Sequence, residues 1–274
     1  MSNFERTNAP DAAIPPPSAA KKGRLVGLFT LCGVLAVAAM TPYQLQAGML
    51  QSVSNASGVP VAALIAATAA QTAVFCLIAS WIGLTLASRV GLGAPSLTAW
   101  LYRGGRTKLS GGWLAAAAIG SLIGTAIVVL LEVAVFQPRL GGIAAAPRVD
   151  AWKAALLMFY GGIVEEVLIR LGLMTFVVWL LSIPHRRRQR PIPPAVYGTA
   201  IVLAAVLFGL GHLPATLQLF GELNGLLVMR AIALNGLLGV FFGYLYWRKG
   251  LEYAIFAHMI ADVLLHVVLP ALTA

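Results

Sequence analysis

The stretch that decides the fold is Gly161 to Leu171, which reads Gly-Gly-Ile-Val-Glu-Glu-Val-Leu-Ile-Arg-Leu. It places two adjacent carboxylates and one guanidinium inside an apolar segment that runs from about Trp152 to Pro184. Ionised groups at bilayer depth are costly unless they are paired or face a polar cavity. On a helix, Glu166 and Arg170 share a face and can form an ion pair. Glu165 points about 100° away from Glu166 and has no partner in this helix, which suggests a function for it.

The chain as a whole has the composition of a membrane protein. Its 274 residues are 59% hydrophobic and only 10% charged. Apolar runs of about 20 residues recur along it, the length that crosses about 30 Å of hydrocarbon. We therefore predict an all-α, polytopic transmembrane helical bundle with seven spans, and an eighth if residues 89–112 or 213–225 enter the bilayer. The predicted spans are residues 25–43, 59–87, 113–136, 152–184, 195 to at least 212, 226–246 and 252–269.

Most of the basic residues that give the net charge of +10 lie between the spans. This distribution indicates membrane topology, with a cytoplasmic N-terminus, and not a nucleic-acid partner. Residues 1–20 are polar and proline-rich and predict a disordered cytoplasmic tail, so that residues 21–274 form the transmembrane domain. The Ala-, Gly- and Arg-rich composition favours a bacterial inner membrane as the location.

Small-residue spacings predict where the helices pack closely. Gly120-x-x-x-Gly124 lies in the third span and Gly239-x-x-x-Gly243 in the sixth. Such patterns let two helix backbones approach each other inside a membrane.

Three groups of polar residues fall on the later spans: the glutamate pair with its arginine, Phe208-Gly-Leu-Gly-His212, and His258-Met-Ile-Ala-Asp262. Each has a structural interpretation, respectively a packing ion pair, a hydrogen-bonded histidine near a helix end, and a local histidine–carboxylate hydrogen bond. Brought together, they would supply a carboxylate base, two imidazoles and an oriented acid–arginine pair. Such a set can activate water and stabilise an oxyanion, which is the chemistry of peptide hydrolysis.

A metal-centred site is an alternative use of the same residues. Glu165, His212 and His258 could bind a divalent metal such as Zn²⁺ and leave one position for water. The His-Glu-x-x-His motif of the zincins is absent from the chain. Both mechanisms therefore stay open at this point.

The three motifs Glu165-Glu166-x-x-x-Arg170, Phe208-x-x-x-His212 and His258-x-x-x-Asp262, in this order on successive apolar spans, resemble the CPBP family of bacterial type. This family comprises the CAAX-type intramembrane endopeptidases and the Abi proteins. The resemblance covers about 110 residues, from Gly161 to Pro270, and places a family-like core at about 150–270.

The resemblance implies a helical membrane peptidase whose water is activated by Glu165 and held with the help of His212. It further implies that His258 and Asp262 stabilise the oxyanion, and that Glu166 and Arg170 organise the site. Family members often have asparagine where this chain has Asp262, and an ionised carboxylate lacks the hydrogen-bond donor of that amide. The family is described both as metal-dependent and as glutamate-dependent without a metal.

We expect an intramembrane peptidase that acts on a membrane-associated or prenyl-protein-like substrate. A proton-coupled carrier would also use buried acids and histidines, and a non-catalytic immunity or scaffold protein would retain the motifs structurally.

One observation conflicts with a single site. Counted at about 1.5 Å per residue from the cytoplasmic ends, His258 lies about 9 Å deep and His212 about 27 Å, so the spans must tilt or protrude.

Overall fold

The computed structural model describes residues 22–103, 109–140 and 148–273, and within these ranges the protein is helical with no strands. The all-α prediction is confirmed. The predicted tail, residues 1–20, lies outside the described residues, and the division into tail and transmembrane domain stays a prediction. The helices in chain order are α1 (Gly23–Gln46), α2 (Met49–Ser57), α3 (Val61–Val90), α4 (Pro95–Arg103), α5 (Gly111–Leu131), α6 (Ala151–Ala155), α7 (Leu157–Phe159), α8 (Thr175–Leu181), α9 (Ile183–Arg187), α10 (Pro194–Gly211), α11 (Leu213–Phe220), α12 (Gly225–Lys249), α13 (Leu251–Val263) and α14 (Leu269–Thr273).

Six helices of the described chain are long and apolar enough to cross a membrane. They correspond to six of the seven predicted spans, and the chain is an integral membrane protein. Three of them are extended past the bounds of a single α-helix by short helical pieces, as where α11 continues α10. The six spans are Gly23–Gln46, Val61–Val90, Gly111–Arg139, Pro194–Phe220, Gly225–Lys249 and Leu251–Leu272.

The remaining predicted span, which carries the glutamates, is also helical but is not one regular helix. Between α7 and α8 it is wound as two π-helical stretches, Tyr160–Glu165 and Val167–Met174. We call residues 151–187, from α6 to α9, the glutamate segment. The two π-helical stretches contain Glu165 and Arg170 and flank Glu166, and such turns often mark functional positions in helices.

Neither of the two candidate segments for an eighth span adds one. Helix α4 has nine residues, about 14 Å of rise, which is too short to cross the hydrocarbon. Helix α11 continues α10 after a break at His212. The proline at position 214 contributes to this break because it lacks a backbone N–H and its ring clashes with the preceding turn.

The loop between the first two spans contains a helix that the sequence did not predict. Helix α2 is bounded by Gly48 (φ 72°) and Gly58 (φ 71°). Both have left-handed backbone conformations, which glycine adopts without a steric penalty. The chain therefore turns sharply on each side of α2.

The predicted small-residue surfaces form close helix contacts. A Cβ atom added to Gly124 of α5 would lie 2.8 Å from the Leu238 side chain of α12, and one added to Gly120 would overlap Phe241. On α12 itself, Gly239 and Gly243 face α10. Helix α12 therefore packs between α5 and α10, and both small-residue surfaces form the close contacts that their spacing allows.

The glutamate segment packs against α1, α3, α10 and α13. On the α3 side, a Cβ added to Gly83 would overlap the backbone carbonyl of Leu171. On the α13 side, a Cβ added to Gly162 would overlap the Met259 side chain. These glycines let two helices approach the charged turns from opposite sides, which brings α13 into reach of the two glutamates.

Candidate active site

The Glu166–Arg170 pair is the buried centre of the site. Its side chains are 0% and 1% exposed, and Arg170 Nη1 lies 3.0 Å from Glu166 Oε1. Arg170 Nη2 donates a hydrogen bond to the Gly239 carbonyl at 3.1 Å. The guanidinium carbon also lies 4.8 Å and 5.5 Å from the ring centres of Phe208 and Phe242. A carboxylate, a carbonyl and two aromatic faces thus compensate for burial of the charge.

The imidazole of His258 is anchored on the same carboxylate. Its Nδ1 lies 2.7 Å from Glu166 Oε1, and since an ionised carboxylate only accepts hydrogen bonds, Nδ1–H donates. The ring stacks on Phe242 with centroids 4.6 Å apart. Its other nitrogen, Nε2, is turned toward Glu165 Oε2 and Asp262 Oδ1, each at 3.7 Å. Glu166 therefore fixes both Arg170 and the orientation of His258.

The imidazole of His212 is anchored in a similar way at the break between α10 and α11. Its Nδ1 lies 2.9 Å from the Phe208 carbonyl oxygen, which can only accept. Its Nε2 is therefore the unprotonated nitrogen of the neutral ring, and it faces Glu165 Oε1 at 4.0 Å. The two histidines thus present the same ring nitrogen to one carboxylate.

Glu165 itself is only partly buried, with 24% of its side chain exposed. It has no partner in its own helix, as the sequence predicted, and it faces side chains from α10 and α13. Its contacts of 3.7 Å and 4.0 Å to the two histidines are too long for direct hydrogen bonds. Contacts of this length suit an oxygen atom held between the groups.

Asp262 lies beside His258, directly over Gly161. A Cβ added to Gly161 would overlap Asp262 Oδ2 and would lie 3.0 Å from His258 Nε2. The hydrogen bond between His258 and Asp262, which was the structural alternative for this motif, is absent, because Nε2 and Oδ1 are 3.7 Å apart and Nδ1 is bonded to Glu166 instead. Gly161 has no predicted role beyond its place in the glutamate stretch, although it lies one turn before Glu165.

The structure brings all six predicted side chains into one cluster: Glu165, Glu166, Arg170, His212, His258 and Asp262. It also resolves the conflict over depth, because both histidines lie within 4.0 Å of Glu165. Two residues without a predicted role support the cluster, namely Gly161 and Phe242. Phe242 is an apolar residue within an apolar span, so its sequence context carried no signal for this role.

The fit of a metal ion was tested on the donor groups. The two Nε2 atoms and the Glu165 carboxylate are chemically suited to Zn²⁺. Over the described ranges, however, no three His, Cys, Asp or Glu side chains are grouped as a metal ion requires. Metal binding by Glu165, His212 and His258 stays a prediction.

Glu132, a further acid within a predicted span, lies outside this cluster and has its own partner. Its Oε2 accepts a hydrogen bond from Arg230 Nε at 2.8 Å. The arginine also lies over the Phe220 ring, 5.2 Å from its centre. This pair joins the end of α5 to the start of α12, and it accounts for the charge of Glu132 inside the membrane.

Comparison with known proteins supports the resemblance inferred from the motifs. Residues 147–264 match the family model described as type II CAAX prenyl endopeptidase Rce1-like. All six clustered side chains lie within the matched residues. No curated protein and no solved structure matches the chain.

Proposed function

We propose that this chain, whose residues 147–264 match the family model described as type II CAAX prenyl endopeptidase Rce1-like, is an intramembrane endopeptidase. The observation that carries the proposal is the position of the Glu165 carboxylate. It faces Nε2 of two separately anchored histidines at 3.7 Å and 4.0 Å. The family description suggests prenylated or otherwise membrane-associated peptides as the substrate class.

In the first step, Glu165 acts as the general base. A water molecule placed between its carboxylate and His212 Nε2 would lie within hydrogen-bond reach of both groups. Because Nδ1–H of His212 is held by the Phe208 carbonyl, Nε2 can accept a hydrogen bond from this water and orient it. Glu165 takes the second proton as the water oxygen attacks the peptide carbonyl carbon.

In the second step, the negative oxygen of the tetrahedral intermediate needs hydrogen-bond donors. With neutral imidazoles, the three carboxylates and one guanidinium of the cluster leave a net charge of −2. A proton on His258 Nε2 reduces this charge and gives a donor on the side away from Glu166. Asp262 lies beside Nε2, and in its protonated form it donates a second hydrogen bond.

In the third step, the intermediate collapses and the leaving amine needs a proton. Glu165 returns the proton that it took from water, so one carboxyl group serves first as base and then as acid. Glu166 and Arg170 do not touch the reacting atoms in this mechanism. They position His258 through the 2.7 Å hydrogen bond and the buried ion pair.

The experiment that tests the proposal is cleavage of quenched fluorogenic peptides, prenylated and unmodified, by the purified protein in detergent. Glu165→Gln keeps the size of the side chain but removes the base, and we expect cleavage to fall by about 10²- to 10⁴-fold. The matched control is Glu222→Gln, an exposed glutamate outside the cluster. We expect both variants to melt at the wild-type temperature.

Equal cleavage by wild type and Glu165→Gln would sink the proposal, as would a folded wild type that cleaves no peptide of either kind. A parallel assay with 1,10-phenanthroline addresses the metal. Loss of cleavage that added Zn²⁺ restores would support a metal-binding role for Glu165, His212 and His258.

A further inference from the structure

A groove lies on the outer face of the helix pair α1 and α3, away from the catalytic cluster. It encloses about 570 Å³. Its surface is almost wholly carbon, and Trp81 in its wall is 57% exposed. The lining residues include Gly23, Gly27, Leu31, Val34, Leu77 and Trp81. Since α1 contributes residues from Gly23 to Val34, the groove extends for about 16 Å along this helix.

Two glycines give the groove its width. Cβ atoms added to Gly23 and Gly27 would meet nothing within 4 Å. These glycines are therefore unlike Gly33 on the same helix, where an added Cβ would lie 2.8 Å from the Cys76 sulfur. Gly33 allows α1 and α3 to pack together, whereas Gly23 and Gly27 leave open space beside that contact.

The end of the groove at Gly23 is basic. Lys22 and Arg24 flank this glycine in sequence, and Arg89 lies at the same end because α1 and α3 are antiparallel. Partial burial and the nearby Arg89 charge lower the pKa of Lys22. Residues 22–103 contain no aspartate or glutamate. A positively charged end thus adjoins a long apolar wall.

We propose that this groove binds an anionic phospholipid of the surrounding bilayer. Its phosphate lies between Lys22 and Arg89, and an acyl chain follows the groove past Gly27 to Trp81. Basic pockets between transmembrane helices are suited to anionic headgroups because each Lys or Arg adds attraction that a zwitterionic lipid does not gain. The apolar wall alone would accept any acyl chain, so the basic end makes the site selective.

The test uses Trp81 as a reporter. The full chain is reconstituted in vesicles that contain equal fractions of phosphatidylcholine and phosphatidylglycerol, with brominated acyl chains on one lipid or the other. Bromine quenches a tryptophan that it contacts, and the Trp81→Phe variant gives the signal of the other five tryptophans. We expect Trp81 to report a preference for phosphatidylglycerol of roughly 25-fold, from a roughly five-fold gain for each of two basic residues.

Two variants test the two parts of the site. Lys22→Gln should lower the preference to roughly five-fold, since one basic residue remains. Gly27→Leu places a bulky side chain in the groove at a position where its Cβ meets nothing within 4 Å, and it should abolish Trp81 quenching by both lipids. The controls are Arg190→Gln, an exposed arginine elsewhere, and Gly198→Leu on α10, where an added Cβ also meets nothing within 4 Å.

Several results would overturn the proposal. Equal quenching by both lipids would show that the groove has no charge preference, and absence of quenching would show that another part of the chain fills it. A preference that survives Lys22→Gln unchanged, or that either control removes, would place the anionic site elsewhere. Size-exclusion profiles that match the wild type establish that each variant is folded.

Discussion

Gly161→Ala is the substitution that best separates the site from the fold. The added methyl group would overlap Asp262 Oδ2 and would lie 3.0 Å from His258 Nε2 and 3.1 Å from Asp262 Cγ, where ordinary contacts are 3.4–4 Å. All three atoms belong to side chains of the cluster, and none belongs to the backbone of α13. The strain therefore falls first on the two groups assigned to oxyanion stabilisation.

The expected size of the effect follows from this geometry. Relief of the overlap requires Asp262 and His258 to withdraw by on the order of 1 Å, and a misplacement of that size can lower a catalytic rate about 100-fold. Overpacking at one buried position costs about 1–3 kcal/mol of stability, which leaves most proteins folded. We expect kcat to fall about 100-fold while KM changes little, because the displaced groups act on the transition state.

The assay is steady-state cleavage of a fluorogenic peptide that the wild type accepts, beside thermal melting in the same detergent. Gly162→Ala is the neighbouring control, because its methyl group meets the flexible Met259 side chain and not the cluster. Gly198→Ala is the neutral control, since it meets nothing within 4 Å. Wild-type kcat in Gly161→Ala would refute the assignment of these groups to the reaction. An equal loss in Gly162→Ala would trace the effect to helix packing.

Three further predictions concern the buried pair, the second histidine and the α3 contact. Arg170→Met leaves the Glu166 carboxylate buried without its guanidinium, so we expect the free energy of unfolding in denaturant to fall by about 3–5 kcal/mol. Adding Glu166→Gln to this variant should recover part of that loss, and no recovery would contradict the pairing. His212→Ala should lower kcat about 100-fold or more. The melting temperature should not change, because this side chain is 30% exposed, and a large drop in it would mean a structural role. Gly83→Ala should lower the melting temperature, because its methyl group overlaps the rigid carbonyl of Leu171, at a cost of about 1–3 kcal/mol; wild-type melting would contradict this contact.

The span boundaries were predictable from the sequence because bilayer thickness fixes the length of an apolar helix. The first span was predicted at 25–43, and α1 covers Gly23–Gln46. The winding of the glutamate segment was not predictable. A π-turn gives up regular hydrogen bonding within the helix, and it depends on tertiary contacts that no local pattern encodes.

Contacts within one helix were partly predictable. The four-residue spacing of Glu166 and Arg170 gave the ion pair, since residues at this spacing share a face. The same spacing also allowed a hydrogen bond between His258 and Asp262, but Glu166 holds the imidazole at 2.7 Å instead. Spacing defines which side chains can meet, whereas the packing of other helices decides which of them do.

The two histidine depths show why a count along separate helices is insufficient. From the ends joined by the Tyr197–Trp247 stack, His212 lies about 27 Å along α10 and His258 only about 10 Å along α13. Both nevertheless reach Glu165. If α10 and α13 ran parallel to each other, the two rings would be separated by most of the difference between these two distances. The two helices are therefore inclined relative to each other. Gly161 leaves the space in which the Asp262 and His258 side chains of α13 lie, so this glycine of the first motif is part of the site together with its glutamates.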